Sequence, residues 1–389
     1  MEVLLLAVFL FSVFFLLFSP FAKTRLWTAT VTPLASIIGS GFLVVAPLLH
    51  LIVGDLAPLA MLFIVILAYF IGEGIRFNIK YEEKLSNESF ISQLETLSNL
   101  TLSAAFIISV AFYLRFLSAF LFEGFLERNY LLENLLTTGI LLFIGLVGYF
   151  KGLSQLEWLE KYSVSIKLAV IFSLLFGLFL YDANNFHIEG KLKEINVDTL
   201  RYLAGVLLIV QGFETSKYLK EKYSKEERIK SMKIAQIISG VIYVVFIILV
   251  QPLLYSLPEK IDETAIIDIT REVSFILPYI LILGAVMSQF SASVADTIGS
   301  GELLYTETKG KVSSNLGFFA VSIIGIILVW SSNIFEIITF ASRAFALYYL
   351  FQIVIALFIS LEGDRKKVPL FGFLIPVLIF IVIFGEPVG

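Results

Sequence analysis

Blocks of apolar residues recur along almost the whole chain, each separated from the next by a short polar stretch. The blocks are about 20 residues long, the length a helix needs to cross the hydrocarbon of a bilayer. The pattern predicts twelve spans, near residues 2–20, 27–50, 55–74, 90–124, 131–150, 156–181, 198–218, 233–255, 274–304, 314–331, 333–360 and 368–385. Two blocks are interrupted in the same way. Ile38-Gly39-Ser40-Gly41-Phe42 breaks the second, and Val210-Gln211-Gly212-Phe213-Glu214 breaks the seventh. An unpaired backbone group in hydrocarbon costs several kcal/mol, so irregular backbone at mid-membrane depth survives only where protein buries it or a wet cavity meets it. Such breaks are where a solute binds. The alternative is that their small residues simply let two helices pack closely.

Composition agrees with the pattern. Hydrophobic residues fill 58% of the 389 positions and only 15% are charged, and the mean hydropathy is +0.93. A soluble domain could not wet its own surface with so few charges, so the chain is an all-α polytopic membrane protein. Lys and Arg gather on cytoplasmic loops. With the loop after the first span placed there, that side collects 19 of the 28 basic residues, including the run from Lys217 to Lys233. The other side holds six, and Arg115, Lys167 and Arg343 lie within spans. Both termini are therefore expected outside a plasma membrane, read as a prokaryotic inner membrane from the compact loops. Met1-Glu2-Val3 carries no basic residue and Ser19-Pro20-Phe21-Ala22 is a poor cleavage site, so residues 1–22 read as a retained extra helix.

With no cysteine and two histidines, His50 and His187, the chain has no thiolate metal site, no cysteine nucleophile and no Ser-His-Asp arrangement within the membrane. That inventory, without clustered acids, argues against an enzyme, and no cofactor or metal is expected. A net charge of −4 gives no reason to expect a nucleic-acid partner. The expected partners are a small-molecule solute, a coupling ion and the lipid bilayer.

Setting aside the first span and the last, 368–385, ten remain. They divide into five over 27–181 and five over 198–360, and each half opens with its interrupted helix. An odd number of spans per half inserts the second half upside down, the inverted repeat of secondary transporters, with the site at the paired breaks.

Three local patterns carry a resemblance to a known family. They are Gly39-Ser40-Gly41, then Gln211-Gly212-Phe213-Glu214 leading into a basic loop, and Ser165-Ile166-Lys167-Leu168 in the fifth core helix. The chain resembles the amino acid-polyamine-organocation (APC) transporter superfamily over about residues 27–360. The resemblance implies the LeuT-like five-plus-five fold with discontinuous first and sixth core helices, and a secondary transporter most often handling amino acids. The loop from Lys222 to Arg228 departs from the Asn-Pro segment usual in that family, and the leading helix is extra.

The second half of a broken helix presents backbone N–H groups whose positive end attracts an anion. A carboxylate suits Ser40, Gly41 and Phe42, beside Ile38 and Gly39. At the second break the carbonyls near Val210, Gln211 and Gly212 attract an ammonium, and Phe42 and Phe213 either close over the solute or pack. Lys167 lies mid-helix, where a lone charge costs about 2.5 to 3.5 kcal/mol on insertion scales. The resemblance implies a proton carrier there, since some proton-coupled members place a lysine where sodium-coupled ones hold the ion; a static ion pair or a snorkelling amine is the other reading. On the eighth core helix Gln289, Ser293, Asp296 and Ser300 form one polar stripe. Asp296 is expected to face Lys167, with Ser293 near the first break. Sodium coupling would instead draw on Ser288, Ser291 and Ser293.

Glu336, Thr339 and Arg343 form a second stripe. Arg343 is expected to gate by pairing with Glu336, Glu214 or Glu73. The reading is thus a proton-coupled symporter of a small zwitterionic or amine-containing solute, with an amino acid as the expected one. Sodium-coupled symport, exchange, or a non-transporting sensor on the same fold stands as the alternative.

Overall fold

The computed structural model describes residues 1–39, 41–85, 89–153, 158–185, 193–220, 222–256 and 264–386. These residues form fifteen α-helices and no strand. In chain order they are α1 (Glu2–Phe18), α2 (Arg25–Ile37), α3 (Gly41–Val53), α4 (Ala57–Lys80), α5 (Glu82–Leu85), α6 (Ser89–Phe125), α7 (Tyr130–Lys151) and α8 (Trp158–Asn185). There follow α9 (Val197–Val206), α10 (Lys225–Leu254), α11 (Ala265–Val273), α12 (Leu277–Glu307), α13 (Ser314–Ser331), α14 (Ile334–Glu362) and α15 (Val368–Phe384).

Each of the twelve apolar blocks falls on helical structure. Among the described residues nine helices are long and apolar enough to span a membrane on their own, and α2 with α3 makes a tenth if the bent pair is one span. The first block gives α1, apolar but only 17 residues long. The seventh is divided into α9 and two 3-10 turns, Leu207–Val210 and Phe213–Tyr218. Polar residues mark the helix starts. Ser224 and Glu227 form a reciprocal capping box on α10, Asn333 and Glu336 form another on α14, and the Asn129 carboxamide accepts from the first N–H groups of α7.

The longest helix, α6, is also the most enclosed, packing against α12 and α14 and, less extensively, α7 and α13. A second group forms where α10 packs on α2 and α4. The interrupted segments pack on each other, α2 against the 3-10 turn Phe213–Tyr218 and α3 against α9. Arg115, buried on α6, donates to the carbonyls of Val329 (2.8 Å) and Ser332 (3.1 Å), so its charge meets the electronegative end of α13.

The leading helix α1 is built into the bundle along α8. Ser173 donates to the carbonyl of Leu5 at 3.1 Å, and Leu5 is fully buried against the glycine face at Gly177. At its start the Glu2 carboxylate accepts from the Ser274 hydroxyl at 2.7 Å and from the N–H groups of Phe275 and Ile276, both at 3.1 Å, at the beginning of α12. An acidic side chain there satisfies donors that the helix cannot satisfy itself. Glu2→Ala is expected to cost about 1 kcal/mol, the scale of a lost N-terminal cap, seen as a lower melting temperature of the purified protein. An unchanged melting temperature would mean that α1 does not brace α12.

Candidate functional site

The first break lies where the Gly-Ser-Gly pattern put it. Helix α2 ends at Ile37, Ile38 leaves helical geometry (φ −84°, ψ 61°), and α3 resumes at Gly41 with its axis bent by 44° from that of α2. Ser40 lies outside the described residues. The carbonyls at the end of α2 lose their helical partners and need other donors. Lys167 on α8 donates to the Ala35 carbonyl at 2.9 Å, and Tyr243 on α10 donates to that of Ile37 at 3.0 Å. The Tyr243 hydroxyl also lies 3.4 Å from the Ile209 carbonyl, so one group sits against both breaks.

At the second break the 3-10 turn Leu207–Val210 gives way to Gln211 and to Gly212, whose φ of +110° is one that L side chains rarely adopt. A Cβ on Gly212 would overlap the backbone of Ser36, and one on Gly41 would overlap Ile209. The two breaks therefore nest backbone to backbone. The Gly212 N–H donates to the Glu214 carboxylate at 3.0 Å, and its carbonyl accepts from the Thr215 hydroxyl at 2.8 Å. Glu214 is buried and also accepts from the Tyr349 hydroxyl. Beyond it, Lys217 donates to Glu95 on α6 and to Gln352 on α14, while Tyr218 donates to Asn99 at 3.0 Å. Those bonds tie the second half of the broken segment to α6 and α14.

Between the breaks lies a small cavity. Ser36, Gly39, Gly41 and Val44 line it from the first break, Ile209 and Gln211 from the second, Ser109, Phe112 and Tyr113 from α6, and Ile338, Ala341 and Ser342 from α14. None of these residues is charged at neutral pH. A smaller cavity shares Gly39 and reaches Ile38, Phe42 and Lys167 on one side and Ser288 and Gln289 of α12 on the other. The Ser288 hydroxyl and the Gln289 carboxamide oxygen are buried there with no hydrogen-bond partner among the described residues.

Of the expected solute-binding residues, Gly39, Gly41 and Gln211 thus face the larger cavity. Ile38 and Phe42 face the smaller one. The Phe42 ring packs on Phe246 and Tyr243, with centroids 4.4 and 5.3 Å away. Val210 sits in a third small cavity beside Tyr243. Phe213 is no lid: it is fully buried and stacked on Tyr349, centroids 5.0 Å apart. The Gly212 carbonyl, expected to meet an ammonium, is already taken by Thr215.

Lys167 shares its cavity with Ser288 and Gln289, whereas Asp296 does not line it and lies two turns, about 10 Å of axis, beyond Gln289. The ammonium goes to the carbonyl end of α2, the electronegative pole of that helix. Asp296 is buried and acts electrostatically on Tyr113. Ser293 bonds back to the carbonyls of Gln289 (2.8 Å) and Phe290 (2.9 Å) on its own helix, and Ser291 is buried on that helix.

The expected ion pairs of Arg343 are not formed. Its guanidinium donates to the Gly385 carbonyl at 2.9 Å, because each acid is committed elsewhere: Glu336 to the capping box of α14, Glu214 to Gly212 and Tyr349, and Glu73 to Arg76 and Lys367. Sequence reading missed Tyr243, Ser109, Tyr113 and Ser342. For Tyr243 a signal existed, since Gln236, Ser239 and Tyr243 make a polar line at spacings of 3 and 4 on an otherwise apolar helix.

A helical membrane bundle with two nested helix breaks bordering a cavity is the architecture of a membrane transporter, and the family of the chain points the same way, to a transporter and not an enzyme. The chain belongs to the APC superfamily transporters: the family model of that description matches residues 19–385. It is 54% identical to an uncharacterised protein of Aquifex aeolicus (strain VF5), over 97% of this chain and 95% of that one. Two crystal structures of mutants of a manganese transporter from Eremococcus coleocola share the fold. One superposes with a TM-score of 0.61 at 12% identity, covering 94% of this chain and 87% of that one. The other gives a TM-score of 0.58 at 12% identity, covering 92% and 87%.

Removing the support of either break is expected to show in stability. Gly212→Ala forces an unfavourable φ and a backbone overlap, an effect of about 1–3 kcal/mol or more. Tyr243→Phe leaves the Ile37 carbonyl without its donor at about 1–3 kcal/mol. Both should lower the melting temperature, Gly212→Ala by more, and wild-type melting of Gly212→Ala would contradict the nesting of the breaks.

Proposed function

We propose that this protein is a secondary active transporter that carries a small zwitterionic solute, an amino acid, by proton-coupled symport with alternating access. The observation that carries the reading is the uncharged cavity walled by both helix breaks. Both breaks contribute backbone to its lining, with hydroxyl, carboxamide and apolar side chains around them. The solute carboxylate sits at the N-terminal end of α3 beside Gly41, where backbone N–H groups and the helix dipole favour an anion. The ammonium sits against the carbonyls of Ile209 and Gln211 across the cavity. Ser36, Ser109, Tyr113 and Ser342 supply polar contacts and Val44, Phe112 and Ile338 an apolar wall. A charged solute side chain would be desolvated there without a counter-charge, so the reading favours neutral amino acids.

Residues 27–181 and 198–360 are the two inverted repeats, opened by α2 with α3 and by α9 with its 3-10 turns, and residues 1–22 and 368–385 flank them with both termini outside. Lys167 is the proton carrier. When protonated it holds the Ala35 carbonyl, and loss of the proton weakens that hold on the break. Asp296 and Ser293 stand further along the polar stripe of α12 as its relay. Glu214, Glu336 and Arg343 act in gating through the contacts described for each.

A second reading, sodium coupling, draws on one observation, the unpartnered Ser288 hydroxyl beside the unpartnered Gln289 oxygen, with Ser291 and Ser293 on the same helix. The Lys167 ammonium in that cavity opposes a second cation. A divalent ion such as the manganese of the fold relatives is disfavoured on donor chemistry, because hard cations take carboxylate oxygens and none lines the larger cavity. Among the described residues no three His, Cys, Asp or Glu side chains are placed to hold a metal.

The test is thermal stabilisation of the purified protein by amino acids and amines at two pH values, with and without sodium, beside uptake into proteoliposomes. A ligand at 100 times its Kd should stabilise by about 2.7 kcal/mol, and Ala341→Leu, which adds bulk to the cavity wall, should abolish the effect. Lys167→Met should remove the pH dependence of uptake. Stabilisation that requires sodium would move the coupling to Ser288, and stabilisation by manganese alone would overturn the amino acid reading.

A further inference from the structure

The end of α15 touches two helices that lead into the lining of the larger cavity, α14 and α9. Arg343 donates through Nε to the Gly385 carbonyl at 2.9 Å, and through a second guanidinium nitrogen to the same oxygen. That carbonyl belongs to the electronegative end of α15, where a cation is favoured and no acid is needed. Helix α15 also packs along α14, so its end is fastened to α14 by both burial and charge. The contact with α9 is slighter. Among the described residues α9 packs on α14 and on the end of α15 to a similar, modest extent, and its polar contacts to α15 are one backbone hydrogen bond, Glu386 N–H to the Arg201 carbonyl at 3.2 Å, and an ion pair between the Arg201 and Glu386 side chains at 3.5 Å. The Arg201 guanidinium also stands 6.0 Å from the Phe384 ring centroid. Gly205 makes the approach possible, because a Cβ there would overlap the Glu386 carbonyl.

We propose that residues 384–386 form a latch that holds α9 against α14 and releases α9 when the cavity opens on that side. Helix α9 leads through a single 3-10 turn to Ile209 and Gln211 on the cavity wall, and Arg343 follows Ser342 on the opposite wall. A movement of α9 away from α14 therefore opens the cavity between them. The two attachments of α15 differ in strength. Its packing on α14 is extensive, whereas the Arg201–Glu386 side chains are 35% and 42% exposed, and ion pairs that exposed contribute little and break readily. The α9 contact is thus the one that yields, and α15 travels with α14.

The latch rests on the reading of the cavity as the solute site, but needs neither the solute nor the coupling ion to be known. The chain has no cysteine, so Ser342→Cys places a single thiol on the cavity wall. Its rate of modification by a membrane-impermeant thiosulfonate is measured from each face of the membrane in vesicles of both orientations. A separate Val197→Cys variant identifies the face on which α9 begins. Added to Ser342→Cys, Gly205→Ala displaces the Glu386 carbonyl and Arg201→Ala removes the ion pair. Each should raise the rate several-fold from the α9 face and leave it unchanged from the other. Arg343→Gln should do the same, with Arg343→Lys closer to wild type. Unchanged rates in monodisperse Gly205→Ala and Arg201→Ala proteins, or a rise confined to the opposite face, would overturn the latch. Failure of the amino acid reading would appear instead as absent ligand stabilisation with the labelling differences intact.

Discussion

Everything around the cavity follows from the need to satisfy backbone groups that two helices give up in a place where water is not freely available. Ending α2 at Ile37 exposes carbonyls that would each cost on the order of a hydrogen bond or more if left bare in an apolar interior. The fold supplies donors from other helices, Lys167 from α8 and Tyr243 from α10. The second break solves the same problem locally, with Glu214 folding back onto the Gly212 N–H and Thr215 onto its carbonyl. What remains uncommitted faces the cavity, and that remainder gives the site its polarity without any charged side chain in its lining.

Several charges inside the apolar spans serve helix ends. Arg115 meets the end of α13, Lys167 the end of α2 and Arg343 the end of α15, while Glu2 and Glu336 serve helix starts. A helix terminus offers about half an elementary charge already ordered by the backbone. Meeting it needs only one side chain to be fixed, whereas a buried ion pair requires two to be desolvated together. The same economy explains why the polar stripe Glu336–Thr339–Arg343 does not close on itself. Its two charged members lie near opposite demands, one at the start of α14 and the other beside the end of α15.

Glycine supports the architecture at close approaches. Gly41 and Gly212 let the breaks nest, and Gly205 admits the end of α15. These contacts join elements distant in sequence, and those of Gly41 and Gly212 border the larger cavity.

The twelve apolar blocks, the position of both breaks and the membrane character were legible in the sequence, because hydrophobic length and the intolerance of hydrocarbon for irregular backbone are local properties that each segment carries by itself. The partners of the charged residues were not. Spacing places Glu336 and Arg343 on one stripe and Asp296 on a stripe opposite Lys167, but it does not say which helix end will come within reach of a long side chain. Nor could it say that Phe213 stacks on Tyr349 while Ser109 and Ser342 turn to the cavity. Those choices depend on how the helices cross and rotate against one another. Only the tertiary structure decides them, because a buried charge settles where neighbouring helices leave an unsatisfied backbone group.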